Sequence, residues 1–193
     1  MIQPAHRTID AHLQLAVFHL NDMCVAVQEG MDRFLATASL ERMPGVEATF
    51  TWLRKRGVRI CLLSDYDREH TLVILHRLGW SVDEDGTVQQ IIIQQQEQGN
   101  PIAKAQELAG LSNPRLSMSA VDTPRLLEQS NAARVHFNLA ICNGRSSYHQ
   151  LATAPHHAML DNLRQLPNFV IEHLPEPAKP THRLHLPQPL HGS

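Results

Sequence analysis

The chain of 193 residues has few cysteines, few aromatic residues and almost no net charge. Its three cysteines, Cys24, Cys61 and Cys142, are odd in number and widely spaced, which excludes a disulfide framework and a cysteine-based zinc finger. Aromatic residues make up only 5% of the chain, which argues against a surface that stacks nucleic-acid bases. The formal net charge of −2 gives no bulk attraction to nucleic acid or to a membrane surface. We therefore expect neither partner.

Long hydrophobic runs are also missing. No apolar run approaches the roughly 20 residues needed to span a bilayer, and residues 1–12 lack the hydrophobic centre of a signal peptide. The hydrophobic fraction of 42% is enough for a packed core. We expect a soluble cytoplasmic protein with a lead-in over residues 1–12, one domain over residues 13–174, and a disordered tail, rich in proline and histidine, over residues 175–193.

Short apolar runs alternate with amphipathic segments along the expected domain. Leu13–His19 and Val58–Ser64 are apolar runs of strand length, and Val46, Phe50 and Leu53 recur between them at helical spacing. The remaining expected elements, in chain order, are helical character over 25–35, a helix over 65–79, strand 90–93, helix 101–111, strand 116–121, a helix opened by Thr123 and Pro124, strand 135–142, helix 146–154, strand 156–160 and helix 163–173. This alternation predicts an α/β fold, a doubly wound parallel sheet with helices on both faces. In such folds the functional site lies at the carboxyl ends of the strands.

Three stretches match the motifs of a known family in order and spacing. The first runs from Met43-Pro44-Gly45 to the strand ending at Ser64, followed by Asp65-Tyr66-Asp67-Arg68. The second is Leu78-Gly79-Trp80, and the third is Asp122-Thr123-Pro124. Over residues 13–172 the chain resembles the haloacid dehalogenase superfamily, most closely its phosphonatase-like members. The resemblance implies a Rossmann-like core.

The resemblance also implies a specific phosphotransfer chemistry. In that family an aspartate after the first strand attacks phosphorus, and an aspartate two positions later acts as general acid and base. A serine or threonine after the second strand and a cation after the third strand hold the phosphoryl oxygens. Acidic residues after the fourth strand join the first aspartate in binding Mg²⁺.

The first motif departs from this pattern. His19 stands at the nucleophile position and Asn21 at the acid–base position, and an amide cannot give and take a proton in turn. His19 has two further interpretations: a phosphoryl-accepting or metal-binding histidine with Asp22 or Asp122, or a replacement tolerated in an inactive site. Asp22 itself becomes a shifted nucleophile if the motif has moved by three positions.

The other motifs are partly kept. Ser64 matches the phosphate-binding hydroxyl and Asp122 the metal-binding acid. Asn100 stands in place of the phosphate-binding cation, with Lys104 about one helical turn later, and Leu126 stands where a second acid is expected.

The cap that phosphonatase-like members carry is reduced here. Only 24 residues separate His19 from Pro44, and we assign residues 24–43 to a residual or truncated cap. Phosphonoacetaldehyde hydrolases of this family form a Schiff base through a lysine of the cap. No lysine lies between Cys24 and Leu53 here, so the resemblance does not extend to that activity.

These departures leave three hypotheses. The first is a catalytically degenerate member of the fold that binds a partner protein or a small phosphorylated molecule. The second is a phosphohydrolase with altered catalytic residues, using Ser64, Asp122 and either His19 or Asp22. The third is a regulatory subunit that works through its surface as a homodimer. We expect no cofactor, and Mg²⁺ only where activity remains.

Overall fold

The computed structural model describes residues 12–27 and 38–174. The predicted tail, most of the predicted lead-in and part of the predicted cap lie outside these residues. The strands are β1 (Leu15–His19), β2 (Val25–Val27), β3 (Leu40–Arg42), β4 (Arg59–Ser64), β5 (Gln90–Ile93), β6 (Ser117–Val121), β7 (Phe137–Ile141) and β8 (Ala158–Leu160). The α-helices are α1 (Val46–Arg54), α2 (Arg68–Leu78), α3 (Pro101–Leu108), α4 (Pro124–Ala132), α5 (Tyr148–Ala152) and α6 (Leu166–His173). Short 3-10 turns cover Gln94–Gln96, Pro114–Leu116 and Leu163–Gln165.

Six of the strands form one parallel sheet in the order β5-β4-β1-β6-β7-β8. Strand β1 lies inside the sheet, where Leu15 is opposite Arg59 of β4 on one side and Ser117 of β6 on the other. After β1 the chain adds β4 and β5 on one side of that strand, and then crosses over to add β6, β7 and β8 on the other side. The topological switch point therefore lies between β1 and β6, where such sheets place their functional crevice. The predicted doubly wound α/β fold is confirmed.

One predicted element is wrong over its first three residues. The helical character expected from Val25 is a strand at Val25–Val27, which pairs antiparallel with Leu40–Arg42. A short apolar run does not distinguish a strand from a helix by itself, and here pairing with a distant segment decides the outcome. Residues 28–35, the rest of that predicted segment, lie outside the described part of the chain.

Helices cover both faces of the sheet because the buried strands are apolar on both sides. All five residues of β1 are buried. Phe18 faces a core shared with α1, α2 and α6, while Val17 faces a second core shared with α3, α4 and α5. In the first core the Phe50 ring lies 5.0 Å from Phe18 and 5.4 Å from Trp80, measured between ring centroids. This packing holds the carboxyl end of β1 in a fixed position.

Among the described residues, no helix has the length and apolar character that crossing a lipid bilayer requires.

Two glycines with left-handed backbone angles provide a matched test of the packing at the start of α1. Gly45 has a φ of 82°, and a Cβ added there would lie 2.6 Å from the backbone nitrogen of Arg164. Gly57 has a φ of 74°, and a Cβ added there would meet nothing within 4 Å. We expect Gly57→Ala to lower the free energy of unfolding by about 1 kcal/mol through backbone strain alone. Gly45→Ala adds a steric clash and is expected to cost roughly 2 to 4 kcal/mol.

Urea denaturation of the two variants beside the wild type measures both effects. Equal losses would mean that the approach of Arg164 to Gly45 does not constrain the start of α1.

Candidate functional site

The carboxyl ends of three neighbouring strands bring His19, Asp65 and Asp122 together. His19 ends β1, Asp65 follows β4, and Asp122 follows β6. The His19 residue is 1% exposed, and its ring lies between the two carboxylates. Its Nδ1 is 2.5 Å from Asp122 Oδ1, and its Nε2 is 3.1 Å from Asp65 Oδ2. The position expected for the nucleophile therefore holds a buried imidazole with a carboxylate on each nitrogen.

These contacts decide the charge of His19. Burial on its own lowers the pKa of the imidazole, but the hydrogen bonds to Asp122 and Asp65, together with the charges of both carboxylates, outweigh it. The net effect raises the pKa of His19 from 6.5 to about 9. At neutral pH the ring is an imidazolium, and each nitrogen donates a proton to a carboxylate. Such a ring has no free lone pair for phosphorus or for a metal ion.

Asp122 has both carboxylate oxygens occupied. Oδ1 accepts from His19, and Oδ2 accepts from the backbone N–H of Arg145 at 3.0 Å. Gly144, just before Arg145, packs against this carboxylate so closely that a Cβ at that position would overlap it. The loop after β7 is thus pressed onto Asp122, and only glycine leaves room for the contact.

The side chain of Arg145 crosses from this loop to the other side of the crevice. Its Nε donates to Asp22 Oδ2 at 2.7 Å, and its Nη1 lies 3.0 Å from Asp65 Oδ2. Asp22 has a left-handed φ of 61°, which places its carboxylate within reach of the guanidinium. The Arg145 side chain is 49% exposed, so this bridge lies at the mouth of the crevice.

Asp65 is the centre of the polar contacts on the β4 side. Besides His19 and Arg145 at Oδ2, it accepts from Gln94 Nε2 at Oδ1 over 2.6 Å. Its carbonyl oxygen accepts from Gln95 Nε2 over 2.6 Å. Burial raises the pKa of Asp65, but the hydrogen bond and charge of His19, and then Arg145, outweigh it and lower that pKa. Asp65 is therefore a carboxylate held ionised by two cations.

Asn21, the residue at the acid–base position, is buried and holds the loop after β4. Its Oδ1 accepts from the backbone N–H of Asp65 at 2.8 Å. Its Nδ2 has no hydrogen-bond partner among the described residues. Burial raises the pKa of the nearby Tyr66 phenol, and the Asn21 amide partly offsets that rise. The amide therefore orients a neighbouring loop, and it does not act as an acid or a base near neutral pH.

The hydroxyl of Ser64 has its single proton already committed. Thr71 Oγ1 donates to the carbonyl oxygen of Asp67, so the 2.7 Å contact between Ser64 Oγ and Thr71 Oγ1 uses the proton of Ser64. The Ser64 oxygen also accepts from the backbone N–H of Tyr66 at 3.2 Å. With this arrangement no Ser64 proton is left to donate to a phosphoryl oxygen.

The residues expected around the phosphate after β5 are also engaged in structural contacts. Asn100 caps α3, since its Oδ1 accepts from the backbone of Ile102 and its Nδ2 donates to the Gln129 carbonyl at 2.7 Å. Lys104 Nζ pairs with Glu107 at 3.4 Å on the exposed side of the same helix. Leu126, at the position of the second acid, is 2% exposed and belongs to the core.

Two other polar residues near the strand ends, Asp67 and Cys24, have structural surroundings. Asp67 caps α2 by accepting from the backbone N–H of His70 at 2.8 Å, which is the N-cap role that its sequence position allows. Cys24 is fully buried, and burial raises the pKa of its thiol well above the usual value. A buried thiol of this kind behaves as a small apolar side chain.

The residues present do not fit Mg²⁺, which the fold implies. Mg²⁺ requires oxygen ligands in near-octahedral geometry, but Asp122 gives both its oxygens to N–H donors, and the neighbouring ligand position carries an imidazolium. In residues 12–27 and 38–174, no group of three or more histidine, cysteine, aspartate or glutamate side chains is placed to hold a metal ion.

The sequence does not assign a site role to three residues that the structure places at the centre of the site: Asp65, Gly144 and Arg145. Asp65 directly follows Ser64, at a strand end already identified as part of the site, so its position was a usable signal. Arg145 and Gly144 follow β7, at whose carboxyl end the sequence predicts no site residue. No local pattern shows that the side chain of Arg145 reaches Asp22 and Asp65.

The charge of His19 generates a prediction about stability and pH. Because the pKa is raised on folding, the contribution is fully present below pH 6.5, declines as pH rises and is lost by about pH 9. A difference of one pKa unit corresponds to about 1.4 kcal/mol, so the contribution of His19 to the free energy of unfolding is roughly 3 kcal/mol. We expect the free energy of unfolding to fall by about that amount between pH 6.5 and 9.5.

The matched control is His19→Gln, whose side chain does not titrate. Urea denaturation at several pH values should show a flatter profile for this variant over the same range, from a lower starting value because Asp122 loses its cation. Parallel profiles for the two proteins would contradict the assignment of an imidazolium at His19.

The comparisons with known proteins bear on the fold. No protein-family model matches the sequence, and no curated protein matches it. Solved structures do match. A protein described as a haloacid dehalogenase-like hydrolase from Bacteroides fragilis has a TM-score of 0.63 at 15% identity, over 79% of this chain and 99% of that chain.

Two further matches are enzymes or enzyme-like proteins with the same fold. The 3-deoxy-D-manno-octulosonate 8-phosphate phosphatase from Moraxella catarrhalis, solved with magnesium and phosphate ions, has a TM-score of 0.59 at 10% identity, over 84% of this chain and 88% of that chain. A phosphonoacetaldehyde hydrolase-like protein from Oleispira antarctica has a TM-score of 0.57 at 15% identity, over 72% of this chain and 58% of that chain. Likenesses at such low identity show the fold alone. The chain therefore has the fold of the haloacid dehalogenase superfamily, which confirms the fold that the resemblance over residues 13–172 predicted.

Proposed function

We propose that this chain is a non-catalytic binding protein built on a phosphohydrolase fold. The observation that carries the proposal is the buried His19 ring, with Asp122 on one nitrogen and Asp65 on the other, at the position where the resemblance predicts a nucleophilic carboxylate. The two carboxylates favour the protonated ring. A cation that donates from both nitrogens neither attacks phosphorus nor accepts the proton of an attacking water.

The surrounding residues support the loss of turnover. General acid–base catalysis needs a group that exchanges a proton near neutral pH, and Asn21 has none. Stabilising a transferring phosphoryl group needs free donors aimed at its oxygens, whereas the proton of Ser64 and the amide of Asn100 are used inside the fold. The altered-residue alternative is therefore left with Asp22 as its nucleophile. Asp22 lies in a turn, and its carboxylate is paired with Arg145.

The charges at the crevice favour a protein partner over a small phosphorylated molecule. Asp22, Asp65 and Asp122 carry three negative charges against the two positive charges of His19 and Arg145, so a phosphate dianion is repelled. The exposed fractions of the Asp22, Asp65 and Arg145 side chains are 42%, 30% and 49%, so all three are accessible from solvent. We propose that a partner protein binds at this mouth.

The catalytic half of the proposal is tested by hydrolysis of a phosphate-ester panel in the presence of Mg²⁺. We expect neither the wild type nor Asp22→Asn to release phosphate above a protein-free blank, because the remaining candidate nucleophile is not used. Any wild-type turnover would overturn the proposal, and its loss in Asp22→Asn would identify Asp22 as the nucleophile of an altered-residue phosphohydrolase.

A second comparison tests the assignment of the first motif. In the double variant His19→Asp, Asn21→Asp the two carboxylates required by the fold's chemistry return beside Ser64 and Asp122. A gain of Mg²⁺-dependent hydrolysis over the wild type would support the view that these two positions account for the lost activity. An active wild type that the double change inactivates would instead assign His19 and Asn21 to a working site of different chemistry.

A further inference from the structure

The guanidinium of Arg145 is held by two carboxylates that come from different loops. Asp22, after β1, accepts from Nε at 2.7 Å, and Asp65, after β4, pairs with Nη1 at 3.0 Å. Nε and Nη1 are separate nitrogens whose N–H directions are fixed by the planar guanidinium, and they donate from different edges of that plane. Two carboxylates on different edges fit a guanidinium, whereas an ammonium presents all its donors from a single nitrogen.

We infer that Asp22 and Asp65 form a guanidinium-binding site, occupied here by the chain's own Arg145, and that an arginine side chain of a partner protein takes its place on binding. The inference rests on the proposed binding function and names the chemistry of the contact. In the free protein Arg145 then forms an intramolecular ion pair at this site, and the arginine of the partner replaces it in the complex.

The backbone of Arg145 has a contact that does not involve its guanidinium. Its N–H donates to Asp122 at 3.0 Å, and this hydrogen bond can stay in place when the side chain moves. The guanidinium itself lies at the solvent boundary, and ion pairs with this exposure contribute little to stability. Exchange of one guanidinium for another leaves the charge and the hydrogen bonds of the site unchanged.

The charge of the emptied site selects a cation. His19 is shared between Asp122 and Asp65, so removal of Arg145 leaves Asp22 without its cation and Asp65 with His19 alone. A second arginine restores both contacts. A lysine supplies the charge without the paired donors, so the site should discriminate between the two side chains.

The experiment uses the full chain with Arg145→Ala and a matched pair of monocations, Nα-acetyl-arginine amide and Nα-acetyl-lysine amide. Thermal unfolding is followed by circular dichroism, which also reports whether the variant is folded. With the arginine derivative at a few times its Kd, we expect the Tm of Arg145→Ala to rise by about 2 °C. The lysine derivative should give a clearly smaller rise.

Two controls locate the effect. In the wild type Arg145 competes for the same carboxylates, so the arginine derivative should raise the Tm less than in Arg145→Ala. In the double variant Arg145→Ala, Asp22→Asn the acceptor of Nε loses its charge, and the selective rise should disappear. Should Arg145→Ala fail to fold, Arg145→Gln removes the charge while keeping most of the length of the side chain.

Three results would overturn the inference: no rise in Arg145→Ala, an equal rise with the lysine derivative or with Mg²⁺, or an equal rise in the wild type. Each is independent of the hydrolysis assay. If the arginine derivative does not bind and the wild type is also inactive in hydrolysis, only this inference is rejected. If the wild type hydrolyses phosphate esters, the proposed function itself is rejected.

Discussion

The contact between His19 and Asp122 is the interaction on which the rest of the site depends. It joins the ends of β1 and β6 at the topological switch point of the sheet, where neither residue is open to solvent. A carboxylate buried at this depth requires a compensating positive charge, because an unpaired ion in the interior is costly. In this chain the compensating charge comes from a side chain of the protein.

The other contacts follow from that arrangement. With His19 charged, Asp65 turns its carboxylate toward the second ring nitrogen and stays ionised. Asp65 and Asp22 then bind Arg145, whose backbone N–H closes on the remaining oxygen of Asp122. Five charged side chains therefore form one connected network. The positive charge at the crevice is supplied by side chains of this network.

Much of the fold was predictable because it depends on local patterns that repeat. Apolar runs such as Val58–Ser64 and helix caps such as Thr123-Pro124 act over a few residues, and strand and helix alternate regularly. The strand Val25–Val27 was not predictable in this way. It has too few residues to show a hydrophobic period, and it is stabilised by pairing with Leu40–Arg42. The boundaries of the domain at residues 13 and 174, and the assignment of residues 24–43 to a cap, remain predictions.

The sequence by itself determined which chemical groups are present at the strand ends. An imidazole and an amide stand where the family resemblance predicts two carboxylates, and this departure at His19 and Asn21 is visible without a structure. Only the tertiary structure decided that His19 is an imidazolium and that Arg145 pairs with Asp22 and Asp65. The pKa of a side chain depends on its burial and on charges that are close in space, and Asp65, Asp122 and Arg145 reach His19 or one another only when separate strands align in the sheet.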